Sequence, residues 1–496
     1  MSAKCADVRR TPTSSFNVDP AAEESGAATS LAGDFVAASI LCIVQVVNCV
    51  SVAVILRGQW PDDYFDPFFR HVTYGFIVHQ LVTTAISRIP GVLAPSAFEN
   101  LVVFVAVQES IREAMDGKPV EAQVTTFLVA LSVSALISSG LLALVSVPRL
   151  AKLLTYLPDY VRHGVFAAIG VAIFKLGFES FDLEPFTAVT WTSADNWLRW
   201  CPAHVLGMLL WYMDEYCPSL QRLLFVGFIV AVILACQCVR VAYGVSVPEA
   251  VKGGWLLGDI GPRGFGEYFA ATYGSLDTVD WAVVTSCLPQ LFVASVLGPL
   301  LNATINCVVL EGALQISVNY SQELCSQAVG SLFTGLTFGF NSYFAVADTS
   351  LMRKAGGKTA RPVLLMVVLL VCVCVVPSIL PMLAMMIPIT LPAAIFVYLG
   401  FAIAWGCVAD MRSTLTPMEY SFSVLTCMLC LYAGVPQGLL ITCGICALQH
   451  FTAAERAEED GTRLGGSTLA LSRLSATGAA DATESSSRQL ELRSSM

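Results

Sequence analysis

Charged side chains are scarce in this sequence, at 13% of 496 residues, and histidines number only five. Soluble domains carry about 25% charge, so a water-soluble globule is excluded. There is no long basic block, and the formal net charge of −10 leaves a nucleic acid nothing to bind electrostatically. His71, His79, His163, His204 and His450 match no ligand spacing, and no metal centre is expected. Cysteine is not lacking, at 17, but most thiols lie inside apolar runs and read as small packing residues rather than a disulfide framework. The same holds for the i, i+3 pairs Cys427/Cys430 and Cys443/Cys446, which have no second ligand pair. Gly356-Gly357-Lys358-Thr359 lacks the upstream glycine and the strand of a phosphate loop, which excludes ATP binding there. No nucleophile, base and oxyanion set is visible, so neither an enzyme nor a cofactor protein is expected.

What the sequence does have is apolar length. Hydrophobic residues make up 56% of the chain and its mean hydropathy is +0.70. Residues 1–34 and 451–496 are rich in Ser, Thr, Ala and Gly and read as disordered tails. The first of these lacks the apolar core of a secretory signal. Residues 35–450 suffice for about 14 crossings of about 20 residues each with short turns. The fold class expected is an all-α polytopic membrane protein of seven plus seven spans. The first group occupies about 35–242 and the second about 288–450, from Phe35–Leu56 to Val435–His450. Lys/Arg bias orients it. Arg149, Lys152 and Arg162 fall in one short connection and Arg353, Lys354, Lys358 and Arg361 in another, both cytosolic. The long connections 178–202 and 243–280 are acidic and face away, so both termini are expected in the cytosol. Trp191, Trp197, Trp200, Trp255 and Tyr268 in those connections read as an aromatic belt.

A charge placed in hydrocarbon is costly, so an acid or base inside a span points to function. Four qualify: Glu99, Lys175, Glu311 and Asp348. Two runs are also interrupted. The third passes through Pro90, Gly91 and Pro95, a pattern that starts a helix inside the membrane. The tenth is broken at Gly335 and Gly339, followed by Asn341 and Ser342, a pair able to cap a new helix. Interrupted segments at matching positions of two halves point to an inverted-repeat transporter. There, half-helix N-termini present unpaired N–H groups and positive dipole ends to a ligand at mid-depth.

Asn319-Tyr-Ser-Gln-Glu323-Leu324, Gly330, Phe340 to Ser350 and Ala355-Gly356-Gly357-Lys358-Thr359 resemble, in order and spacing, a region of the sulfate permease (SulP) family. Leu157 to Val165, Gly177-Phe178-Glu179 and Leu301-Asn302 look like that family too, in its vacuolar-type branch, and Gln45 and Asn48 fall near its Pro-Gln element. The resemblance implies a core domain moving against a gate domain. Substrate would lie between the half-helices of spans 3 and 10 and spans 1 and 8. It implies a multi-pass protein of the plasma membrane or an organelle membrane, a small-anion cargo such as an oxyanion, bicarbonate or carboxylate, and a homodimer. Substrate-binding roles then fall to Gln45, Ser96, Asn302, Ser342 and Tyr343, and proton coupling to Glu99 and Asp348. Two departures stand out. Only 46 residues follow His450, too few for the family's STAS domain, and Asp348 stands where many members carry Arg. Sulfate itself is thereby put in doubt, and a cation-coupled neutral solute is allowed. An anion channel, a non-transporting receptor or scaffold of the same fold, and a nucleobase permease are the rival readings.

Overall fold

The computed structural model describes residues 31–445 apart from short interior stretches, the longest at 148–158 and 258–273. Both tails, residues 1–30 and 451–496, and most of the fourteenth run, Val435–His450, lie outside the described residues. Thirteen major helices correspond to the other runs: α1 (Leu31–Arg57), α2 (Phe65–Ile86), α3 (Leu101–Ala114), α4 (Val120–Ser146), α5 (Asp159–Glu179), α6 (Ala194–Tyr216) and α7 (Gln221–Ala242). α8 runs through Leu288–Ser295, a π-helical turn at Val296–Leu300 around Pro299, and Leu301–Leu314. α9 (Tyr320–Leu336), α10 (Val346–Lys354), α11 (Ala360–Val375), α12 (Thr390–Thr414) and α13 (Pro417–Ala433) complete the series. Among the described residues, extended pairing is limited to isolated bridges.

Polar residues fix the helix starts. Asn319 accepts a hydrogen bond from the Gln322 N–H ahead of α9, and Thr416 with Glu419 forms a reciprocal capping box on α13, whose first residue is Pro417. α1 begins at Leu31, four residues inside what reads as tail, and buries Asp34. Five helical segments are long and apolar enough to cross a bilayer by length and composition alone. α3 and α10, at 14 and 9 residues, are too short for the roughly 30 Å hydrocarbon layer at about 1.5 Å per residue.

The helices form two packed groups. In one, α4 and α2 pack on α9, and α1 packs on α11 and α2; α3, α8 and α10 join them. In the other, α12 packs on α5 and α6, and α13 packs on α5. The groups meet where α1 touches α12 and α3 touches α5. The first group is pinned internally by a buried ion pair. Arg70 Nε lies 2.6 Å from Asp66 Oδ1, and Arg70 Nη1 donates to the Cys374 carbonyl at 2.6 Å, joining α2 to α11.

Candidate functional site

The short helices α3 and α10 are each preceded by an extended segment, and the two segments cross. The N–H of Ala97 donates to Asn341 O at 3.2 Å, that of Tyr343 to Pro95 O at 3.3 Å, and that of Ala345 to Leu93 O at 2.8 Å. Ser96 and Ser342 face each other as an antiparallel bridge. Local sequence rules place the helix starts too early. Pro95 does not open α3 but sits in the extended segment, and Asn341 and Ser342 do not cap α10, which begins at Val346 after Ala345. The reason is tertiary: pairing across the crossing satisfies backbone groups that a helix would otherwise use, and Asn341 Nδ2 donates instead to Ser138 Oγ at 2.6 Å.

Two glutamines hold the segments open. Gln80 on α2 accepts from the Ala94 N–H at 2.7 Å and donates to Val92 O at 2.9 Å. Gln327 on α9 accepts from the Phe344 N–H at 3.0 Å and donates to Thr83 Oγ1 at 3.2 Å. Thr349 Oγ1 accepts from the Leu93 N–H at 3.1 Å. Gly75 lets α2 approach this framework: a Cβ there would lie 2.3 Å from the Phe340 nitrogen. The motif residue Glu323 is fully buried and accepts from Ser87 Oγ at 2.6 Å and the Arg88 N–H at 2.9 Å, tying the end of α2 to α9.

Neither α3 nor α10 has a side-chain cap; at the start of α3 the N–H of Leu101 donates to Phe98 O and those of Val103 and Phe104 to Asn100 O, each at 3.0 Å, and in α10 the Thr349 N–H donates to Ala345 O at 3.2 Å. Beside them lies a cavity of about 340 Å³ between the two helix groups. Ser96, Glu99, Tyr343 and Asp348 line it from the first group. Tyr343 Oη donates to Glu99 Oε2, and Gln45 Nε2 donates to Asp348 Oδ1 at 2.7 Å. Gln45 thus reaches the site through Asp348. Ser342 is buried behind Ser96, and its Oγ has no hydrogen-bond partner among the described residues. Asn302 is not among the lining residues; its Nδ2 donates to Leu297 O at 3.3 Å within α8. Asn48, one turn on from Val44, lines the cavity.

Of the four charges expected inside spans, two lie elsewhere. Lys175 is 3.0 Å from Glu179 and lines a separate cavity of about 600 Å³ with Arg57 and Arg112, while Glu311 accepts from the Tyr320 hydroxyl. Lys175 therefore pairs along α5 and not with Asp348. Sequence reasoning missed Asp214 on α6 and Tyr398 on α12, which line the opposite wall of the site. Asp214 is an acid inside the apolar run His204–Tyr216, close enough to its end to pass as a boundary residue. Tyr398, inside an apolar run, carries no local signal. Among the described lining residues, three carboxylates stand with no Lys or Arg.

The family model described as the sulfate permease family matches residues 31–426. The vacuolar basic amino acid transporter VSB1 of Saccharomyces cerevisiae is 20% identical over 405 residues, covering 76% of this chain and 38% of that protein. The chain thus spans well under half the length of this curated relative. Among solved structures, the transmembrane domain of a cyanobacterium bicarbonate transporter, BicA, matches with a TM-score of 0.59 and 16% identity, over 82% of this chain and 97% of that one. The murine Slc26a9 anion transporter in its inward-facing state matches with a TM-score of 0.63 and 11% identity, over 91% and 74%. At these identities the likeness is one of fold.

Proposed function

The chain belongs to the sulfate permease family, and from that premise we propose a secondary active transporter whose cargo is a small cationic solute. The cargo sits where the two extended segments cross and is exposed to either side by alternating access. The observation that carries this reading is the charge of the cavity wall: Glu99, Asp348 and Asp214, with no basic residue among the described lining residues. Two helix N-termini contribute about half a positive charge each, against three negative charges when the carboxylates are ionised. The balance favours a cation. The name of the yeast relative, a basic amino acid transporter, agrees with this reading.

A second reading is a small anion carried together with protons. The two helix N-termini without side-chain caps favour it, because their positive dipole ends face the cavity and would attract an anion once Glu99 and Asp348 have taken up protons. The architecture in either case is two inverted seven-span repeats. Gln80 on α2 and Gln327 on α9, seven helices apart, support that repeat by holding the extended segment of their own half in the same way. Ser96, Ser342, Tyr343 and Gln45 shape and orient the site, and the protein works with both termini in the cytosol and as a homodimer.

Uptake into proteoliposomes, competed by lysine, arginine, sulfate, molybdate, bicarbonate, oxalate and uracil, tests the proposal. Saturable uptake competed by the basic amino acids and not by the anions is the expected result. Competition by the anions, growing as pH falls, moves the assignment to the second reading. Flux that does not saturate removes the carrier mechanism altogether.

A further inference from the structure

The three carboxylates do not share one wall. Glu99 and Asp348 belong to the helix group built around α2, α4 and α9, whereas Asp214 belongs to the group built around α12. Asp214 is positioned from within that second group: the Tyr398 hydroxyl on α12 donates to its Oδ2 at 2.9 Å. The packing beneath the pair is tight. A Cβ on Gly207 of α6 would lie 2.5 Å from the Ala394 carbonyl oxygen of α12, so the two helices are in close backbone contact. The rest of the lining is mostly apolar, with Phe98 and Leu351 from the first group and Leu210, Phe225 and Leu399 from the second, beside the polar Asn48 and Ser96.

We propose that Asp214, set by Tyr398, is a second cargo-binding point, and that the preferred cargo carries two positive charges at the ends of an apolar stem. This rests on the cationic reading above and extends it to a chemical class: diamines and molecules with a separated pair of ammonium or guanidinium groups. A monocation answers the carboxylates of one wall only, while a cationic chain answers both and lays its methylenes against the apolar residues of the lining. Charged ends at both walls make the cargo itself a tie between the two helix groups. The tie breaks when the groups shift relative to each other, so the second contact belongs to one stage of the transport cycle.

The experiment compares uptake of 1,5-diaminopentane and pentylamine, matched in stem length, by the full chain in proteoliposomes. The wild type is expected to prefer the diamine. Asp214→Asn is expected to reduce that preference about tenfold, the loss of one charged contact of about 1.4 kcal/mol. Tyr398→Phe is expected to move the preference in the same direction by less, because the carboxylate remains but is no longer oriented. If Asp214→Asn fails to yield folded protein, Asp214→Glu and Tyr398→Phe carry the test. Equal loss of both substrates, or an unchanged preference in the folded variants, overturns the proposal while leaving the cationic reading intact. A wild type that takes up neither amine overturns the proposal, and one that takes up no lysine or arginine either overturns the cationic reading as well.

Discussion

The two segments that build the site, residues 91–114 and 339–354, solve one problem with different means. Each begins near a residue in the left-handed backbone region, but the first uses Gly91 (φ 69°) and the second Phe338 (φ 55°). Glycine adopts that conformation without penalty, whereas a bulky side chain there is an outlier. Each segment is held by a glutamine of the preceding helix, Gln80 making two contacts and Gln327 one to the segment itself. Each contributes one carboxylate. Glu99 is held by Tyr343, a residue of the opposite segment, so its position depends on the crossing; Asp348 is held by Gln45 from α1 and depends on the helix beside it. The comparison teaches that the two acids, alike in charge, are fastened to different parts of the molecule and will respond to different perturbations.

The crossing itself is broken most severely by Gly75→Val. The added side chain collides with Phe340 backbone, which cannot yield without separating the two segments. Loss of monodisperse folded protein on size-exclusion chromatography is expected. Glu99→Gln and Asp348→Asn sharpen the difference between the acids. Both keep an oxygen for the tethering donor, and each is expected to lower uptake tenfold or more at neutral pH. Asp348→Asn should also change the pH dependence of uptake; an unaltered pH profile in both variants would remove these two carboxylates from the coupling step.

Next in size are Gln80→Ala and Gln327→Ala. Each strands buried backbone groups of its segment, a loss of about 1–3 kcal/mol per unsatisfied group. Gln80→Ala is expected to lower thermal stability in detergent the more, because it abandons both an N–H and a carbonyl of the same segment. The smallest effect concerns the far end of α3. Lys118, just beyond that helix, donates to Asp280 at 2.6 Å, and this contact, with the N–H groups of Val283 and Ala282, holds the Asp280 carboxyl below the usual carboxylate range. A depressed folded-state pKa means that the tie is present above the ordinary carboxylate pKa and is lost as pH falls through the lowered value. Lys118→Met should therefore lower thermal stability slightly near neutrality and converge with the wild type in acid, where the tie is already lost, so that the acid-side decline is flatter in the variant.

Much of this arrangement can be read in the sequence, and the failures are instructive. Pro90, Gly91, Pro95 and Gly335 to Ser342 disclose two interrupted runs because proline and glycine act locally on the backbone. The helix starts at Leu101 and Val346 are not disclosed, because the residues before them are extended by partners in the other half of the chain. Glu99 and Asp348 stand out as charges against apolar surroundings. Asp214 does not, because an acid two residues from the end of an apolar run looks like the edge of a span. Asn302 was placed by family resemblance, and its side chain turns back onto its own helix.

The pairing of residues 93–97 with 341–345 also governs the order of biosynthesis. The amides and carbonyls of the earlier stretch meet their counterparts only after about 250 further residues have been made. At roughly 5–20 residues per second, this leaves a nascent membrane protein with an unfinished polar seam for tens of seconds. Insertion machinery, water or neighbouring helices must shelter that seam until the second half arrives, and a chain truncated before Asn341 has no route to completing it.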